Sequence, residues 1–361
     1  MRHEISDSGV ISRKFDGKFN YNAWPSVITL PDGTLLCAWS GDRVQHICPF
    51  GKVLAARSTD GGKTWTPPYK ILDTPLDDRD AGLTAANGKV YLTSFTNSRE
   101  MQKYYAELYN FPPAEKAANY GYLERVSDED ELRFLGATLA VSNDNGYTFS
   151  TPEVLPVTTP HGLLKTKSGR LLMIGRAFDD RAKTAFPKLP EGIYSMEIGA
   201  DGKTFGAPGL IAESPAGMLY CEPHAALLPD GTIVLGIRLQ GDNGLFTIHQ
   251  CFSFDDGETF TEPRPTGFDG SPPHYLVHSS GALVLTYARR NTPQAEIARI
   301  SLDGGKTYGD EIILSDLSSD WDLGYPCTAE APDSTLVTVY YEKHAPGEKN
   351  AIRFTRWKIA D

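Results

Sequence analysis

The sequence predicts an all-β chain folded as a six-bladed propeller, and three observations carry that prediction. One turn motif recurs along the chain, and six hairpin-like segments are interleaved with it. Helix-forming runs are few, while Gly (34) and Pro (25) are frequent. A repeat of about 40–50 residues marks propellers, because each unit buries its apolar face only against its neighbours.

The turn motif reads Ser-x-Asp-x-Gly-x-Thr followed by an aromatic residue. It occurs as STDGGKTW (58–65), SNDNGYTF (142–149), SFDDGETF (253–260) and SLDGGKTY (301–308), with a shortened ADGKTF (200–205). The Asp side chain ties down turn amides, Gly supplies φ > 0, and the aromatic ring packs between sheets. Its aspartates are therefore assigned to structure and not to catalysis.

The interleaved hairpins are WPSVITLPDGTLLCAWS, AGLTAANGKVYLTSF, HGLLKTKSGRLLMIGR, HAALLPDGTIVLGIR, HYLVHSSGALVLTYARR and YPCTAEAPDSTLVTVYY. Each pairs two apolar, β-branched runs across a tight turn. Six such hairpins, each followed by a third strand, predict six blades. The last blade has a third strand (AIRFTRWKIA, 351–360) but no turn motif after it. The N-terminal segment ISDSGVISRKF (5–15) is expected to supply its outer strand, closing the ring and covering a sheet edge. The chain is read as one domain, 1–361, with an insertion at 98–134 in blade 2 that is partly helical and rich in Tyr and charge. Long insertions in compact folds act as lids or mobile surface; a dimer contact is the other reading.

A formal charge of −11 argues against a nucleic-acid partner, since phosphate binding needs a basic face. It leaves room for an anionic sugar in a locally positive funnel. Cys37, Cys48, Cys221, Cys251 and Cys327 are scattered without a CxxC pair and read as reduced structural thiols. The start has no apolar signal core, and no run of about 18 apolar residues occurs. The expectation is a cytoplasmic protein without a membrane partner, although a secreted chain with its signal trimmed would read the same.

Inner strands of a propeller line its channel, so residues at their starts converge on the axis. Aligning the hairpins on their turns sets Pro25, Asp80, His161, His224, His274 and Pro326 at one level. Trp24, Arg79, Pro160, Pro223, Pro273 and Tyr325 lie one residue earlier, and Ala23, Asp78, Thr159, Glu222, Pro272 and Gly324 one before that. The second strands end at Arg43, Arg176, Arg238, Arg289 or Arg290, and Tyr341 with Glu342. So many charged groups are costly in a structural core, and a polar ligand site accounts for them better. The three histidines invite a metal, but contacts to sugar hydroxyls or a carboxylate are the preferred reading, with no metal and no cofactor.

The recurring turns look like Asp-boxes, and the whole chain resembles the sialidase (neuraminidase) superfamily. The resemblance implies an exo-acting, retaining glycosidase releasing a terminal acidic sugar from an oligosaccharide or glycoconjugate. Glu222 in YCEPHAALLPDG matches the glutamate that polarises a nucleophilic tyrosine, and Tyr325 in DLGYPCTAE matches that tyrosine. Arg238 matches one arginine of the triad that grips the sugar carboxylate, and Arg289 or Arg290 falls near another. A phenol starts neutral and approaches an anionic substrate with less repulsion than a carboxylate. The chain departs from the pattern where the family has Phe/Tyr-Arg-Ile-Pro: it reads Asn22-Ala23-Trp24-Pro25, without the first arginine. Arg43 and Arg79 are the candidate replacements. The family's catalytic aspartate has no direct counterpart; Asp42 and His46, with Asp78 and Asp80 of the next blade, are the groups on offer, His46 and Asp78 foremost. Asp80, His161, Arg176, His224 and His274 are candidates for substrate contacts. A uronate-directed polysaccharide lyase and a non-catalytic carbohydrate-binding propeller are the competing readings. The sequence sets no oligomeric state.

Overall fold

The computed structural model describes residues 2–14, 17–241, 244–343 and 345–360. Six antiparallel sheets are arranged as blades around one axis. Their inner strands are Tyr21–Thr29, Arg79–Ala86, the broken pair Val157–Thr158 and Leu164–Lys165, Met218–Leu227, Ser271–Val277 and Gly324–Glu330. Blade 6 runs outward as Gly324–Glu330, Leu336–Glu342, Ala351–Ala360 and then Arg2–Ser12. The N-terminal strand pairs from Arg2 with Ala360 to Ser12 with Ile352, so it closes the last blade as expected. Phe15, the end of the expected segment, lies outside the described residues.

The Asp-box turns are built alike. Asp60 accepts from the amides of Lys63 (3.1 Å) and Thr64 (3.0 Å) and from the Thr64 hydroxyl (2.6 Å). Asp144, Asp255 and Asp303 repeat this pattern, and Asp201 repeats it in the shortened copy. These bonds satisfy the ionised carboxylate and hold Asp60, Asp144, Asp255 and Asp303 down at about 2. A depressed carboxylate stabilises the fold above its unfolded pKa, and that contribution disappears as pH falls through the folded value. Thermal unfolding is therefore expected to drop between pH about 4 and about 2. Asp303→Asn should shrink that drop; an unchanged pH dependence would contradict the assignment.

Residues 98–134 form three helices, Arg99–Leu108 (α1), Pro113–Leu123 (α2) and Asp128–Phe134 (α3). Ser98 caps α1 by accepting from the Met101 amide. Tyr122 of α2 donates to the Pro75 carbonyl (3.1 Å), and Gln102 of α1 donates to Asp77 (2.9 Å). A small apolar cluster of Leu76, Val126, Leu135 and Phe178 seats the insertion beside blades 2 and 3. All five cysteines are buried and unpaired.

Candidate active site

The site is built by a bulge repeated in the inner strands. Two residues on the inner strand oppose one on its neighbour at Trp24-Pro25, Asp80-Ala81, Glu222-Pro223, Pro272-Pro273 and Tyr325-Pro326. Proline lacks the N–H that a ladder needs, so the unpaired second position suits it. The first position carries φ of 55° at Trp24, 57° at Asp80, 49° at Glu222 and 53° at Tyr325. Large side chains rarely adopt this left-handed conformation, and such residues concentrate at functional sites.

This register corrects the turn-based alignment. Trp24, Asp80, Glu222 and Tyr325 share one level; Asp80 does not lie beyond Tyr325, nor Glu222 before it. His224 and His274 share their level with Ser26 and Cys327 instead of Pro25 and Pro326. Blade 2 also closes its hairpin with only Asn87-Gly88, where blade 1 uses residues 30–34.

At the bulge level the Tyr325 hydroxyl donates to Glu222 Oε1 at 2.5 Å. The other oxygen, Oε2, accepts from Arg238 Nη1 at 2.5 Å, and Arg238 Nη2 donates to Gln240 at 2.7 Å. Burial pushes the Glu222 carboxyl up, but the Arg238 guanidinium and the Tyr325 hydrogen bond overcome it, leaving the group below its ordinary value. Burial raises Tyr325 well above a free phenol, and the charges of Glu222 and Asp80 add to the rise. The pair thus rests as a neutral phenol beside an ionised carboxylate. Arg290 extends the cluster: Nη2 donates to the Tyr341 hydroxyl (3.3 Å), and its guanidinium lies 5.9 Å from the Tyr325 ring centre.

Asp80 stands on the same level from blade 2. Burial, with Glu222 adding to it against the opposing field of Arg79, lifts it to about 7. Trp24 occupies the bulge where the family pattern has the residue after its first arginine. Arg79 lies over its ring at 4.2 Å and donates to the His46 carbonyl at 2.9 Å. His46 meets the Trp24 ring edge-on at 5.0 Å, and its Nδ1 lies 3.1 Å from Asp322 Oδ1 and 2.9 Å from the Tyr21 hydroxyl.

Several expected contacts are not made. Arg43 is fully buried and gives both Nη atoms to Asp77, so it is a structural clamp and not a substrate ligand. Asp78 is likewise buried, accepting from the Thr74 amide (2.7 Å) and hydroxyl (2.8 Å), which ties it into its own turn away from the pocket. Arg289 turns outward to Glu311 (2.7 Å) and the Pro293 carbonyl (2.8 Å), which leaves Arg290 as the arginine of the cluster. Arg176 lies near the end of the second strand of blade 3, Leu171–Ala177, where its charge acts on Tyr105 of α1 and on Cys221.

The histidines pack against one another next to the bulge level, and two of the three are buried. His161 and His274 are 3% and 7% exposed, and His224 is partly buried. Burial drives His161 and His274 well below an ordinary imidazole and His224 down to about 3, so all three pack as neutral rings. His224 and His274 stack at 4.2 Å with planes 13° apart. Nitrogens binding one ion must converge on it, and parallel stacked rings do not provide that. Among the described residues no group of three or more His, Cys, Asp or Glu is placed to hold a metal.

The sequence reading missed Asp322, Asp77 and Tyr21. A signal existed for Asp322: with Trp321 it lies in the same short segment that delivers Tyr325.

The family model described as BNR/Asp-box repeat matches residues 56–67, the first of the turns. Over 84% of its length the chain is 24% identical to a sialidase of Micromonospora viridifaciens, and it spans only 38% of that protein. Among solved structures, a protein of unknown function from Dyadobacter fermentans matches with 99% of each chain covered, 23% identity and a TM-score of 0.76. An intramolecular trans-sialidase from Ruminococcus gnavus, solved with oseltamivir carboxylate, matches over 95% of each chain at 16% identity and a TM-score of 0.63. The two structural likenesses show the same propeller fold.

Proposed function

We propose that this chain, an Asp-box propeller similar to sialidases, is an exo-acting, retaining glycoside hydrolase releasing a terminal acidic sugar. The observation that carries this reading is the 2.5 Å hydrogen bond between Tyr325 and Glu222. A phenol raised by burial is a poor nucleophile alone, and a carboxylate within hydrogen-bond reach removes its proton as it attacks. Tyr325 Oη would bond to the anomeric carbon while Glu222 takes the phenolic proton. Water then displaces the phenolate, which recovers its proton. Arg238 anchors Glu222 in the ionised state this requires.

Arg290, Arg238 and Arg79 supply positive charge around the site, favouring an anionic sugar. Arg238 is already committed to Glu222 and Gln240, and Trp24 takes up space beside the position where the family's first arginine would reach the substrate carboxylate. The carboxylate grip is correspondingly weaker than three free guanidinium groups would give. Asp80, largely protonated below pH about 7, suits a donor to a sugar hydroxyl.

A panel of aryl glycosides of sialic acid, other keto-acid sugars, uronic acids and neutral deoxysugars tests this. Release of phenol from a keto-acid glycoside, with anomeric configuration retained by NMR, is the expected result. An unsaturated, ultraviolet-absorbing product from uronate polymers would replace it with the lyase reading. Binding without turnover on the whole panel would leave a carbohydrate-binding propeller.

A further inference from the structure

We propose that His46, held by Asp322, is the group that protonates the departing oxygen, and that the departing group is itself a sugar seated on Trp321. The inference rests on the glycosidase reading above and adds the proton donor and the leaving-group side of the site.

Four segments distant in sequence build this arrangement. His46 lies on the loop after the second strand of blade 1, and Asp322 precedes the inner strand of blade 6. The Asp322 carboxylate accepts from Tyr21 at 3.1 and 3.2 Å and stands 3.1 Å from His46 Nδ1. Burial raises Asp322, but His46 and Lys343, the latter 3.9 Å away, more than offset it, and the carboxyl sits at about 2. An ionised carboxylate only accepts, so Nδ1 carries the proton shared with it and the imidazole orientation is fixed. Nε2 has no hydrogen-bond partner among the described residues, and the side chain is 34% exposed, unlike the axial histidines. An oriented, part-exposed imidazole with one free nitrogen is the arrangement that general acid–base chemistry requires.

The surroundings give the donor its direction. The Trp24 ring, at the bulge level of Tyr325, meets His46 edge to face with centres 5.0 Å apart. Trp321, adjacent to Asp322, is 59% exposed, and its ring lies 6.3 Å from His46. An exposed indole beside a proton donor offers a flat apolar face to a sugar ring. As Tyr325 bonds to the anomeric carbon, the glycosidic C–O bond breaks and its electron pair stays on oxygen. That oxygen takes the Nε2 proton; water later returns a proton to Nε2 as it attacks the sugar–tyrosine bond.

The groups facing His46 are Asp322 from blade 6, Tyr21 and Trp24 from blade 1, Arg79 from blade 2 and Arg290 from blade 5. Burial lowers the imidazole, Asp322 raises it, and Arg79 and Arg290 lower it further, leaving it below an ordinary histidine. The protonated form is lost as pH rises through that depressed value, so kcat/KM on a poor leaving group should fall on the alkaline side below pH about 6.5.

The test compares His46→Ala, Asp322→Asn and Asp80→Asn on two substrates with the same sugar: a 4-nitrophenyl glycoside, whose leaving group needs no proton, and a disaccharide. His46→Ala is expected to lose at least about a hundredfold on the disaccharide but less than about tenfold on the nitrophenyl glycoside, with its alkaline limb abolished. Asp322→Asn should move that limb to lower pH, an effect that a merely structural role would not produce. Trp321→Ala should raise KM for the disaccharide alone. Equal losses on both substrates for His46→Ala, in a protein with wild-type thermal unfolding, overturn the proposal, as does the selective pattern appearing in Asp80→Asn instead. A wild type that cleaves neither substrate, or a Tyr325→Phe variant that keeps full activity, overturns the glycosidase reading itself.

Discussion

Tyr325→Phe is expected to lower kcat by at least about a thousandfold on any glycoside the wild type cleaves, with the propeller intact. The substitution removes one hydroxyl and leaves the ring, which is 6% exposed, in its place among Tyr341 and His161. Glu222 keeps Arg238, so no charge is stranded, and stability should change by no more than about 1 kcal/mol. Glu222→Gln should fall almost as far in rate. It removes the proton acceptor and also unpairs Arg238, so some loss of stability accompanies it. The double variant should be little slower than either single one, because groups acting as a unit are non-additive. Steady-state kinetics with thermal melts of all three variants checks this. Additive losses would mean that the 2.5 Å contact is not the working unit.

The second large effect concerns stability. Arg43 and Asp77 are both fully buried, with side-chain exposures of 0% each. Asp77 also reaches Arg79 at 3.6 Å and Gln102 of α1 at 2.9 Å. Asp77→Ala leaves the Arg43 guanidinium without its counter-charge and is expected to destabilise the protein by about 3–5 kcal/mol. Replacing both residues by apolar ones of similar volume should cost less than the single change, since the desolvated charge is then gone as well. Denaturant melts of Asp77→Ala and of Asp77→Leu with Arg43→Met give the comparison. A double variant as unstable as Asp77→Ala would show that packing, not charge, dominates there. Because Asp77 also steadies Arg79 over Trp24, the single variant should weaken substrate binding, visible as a raised KM in whatever fraction stays folded.

The repeat made the fold legible. Four full Asp-box turns and one shortened copy, interleaved with six hairpins, leave little choice but six blades. The unpaired final strand called for a partner, and Arg2–Ser12 supplies it. The phenol–carboxylate pair was legible through the resemblance that singled out Glu222 and Tyr325, although counting from the turns set the two at different levels. Other positions were not. Side chains alternate faces with a period of two residues, and each bulge adds one residue, so an offset of one moves a side chain to the other face. That is why the histidines were placed one level off; Asp78, two residues from the bulge residue Asp80, took its place because the turn of blade 2 is shorter than that of blade 1.

What the sequence determined by itself is therefore the architecture and the chemical types available at the axis, since both follow from a repeat whose turns and strands are local. Tertiary structure decided which of those groups act together. Arg289 and Arg290 are neighbours in the chain, yet one turns to Glu311 and the other to Tyr341. Arg43 ends the second strand of its blade, and its partner Asp77, 34 residues away, removes it from solvent. His46 and Asp322 are 276 residues apart, and no local pattern links them. They meet because closing the ring brings blade 1 against blade 6, and partners of this kind are set by packing in space.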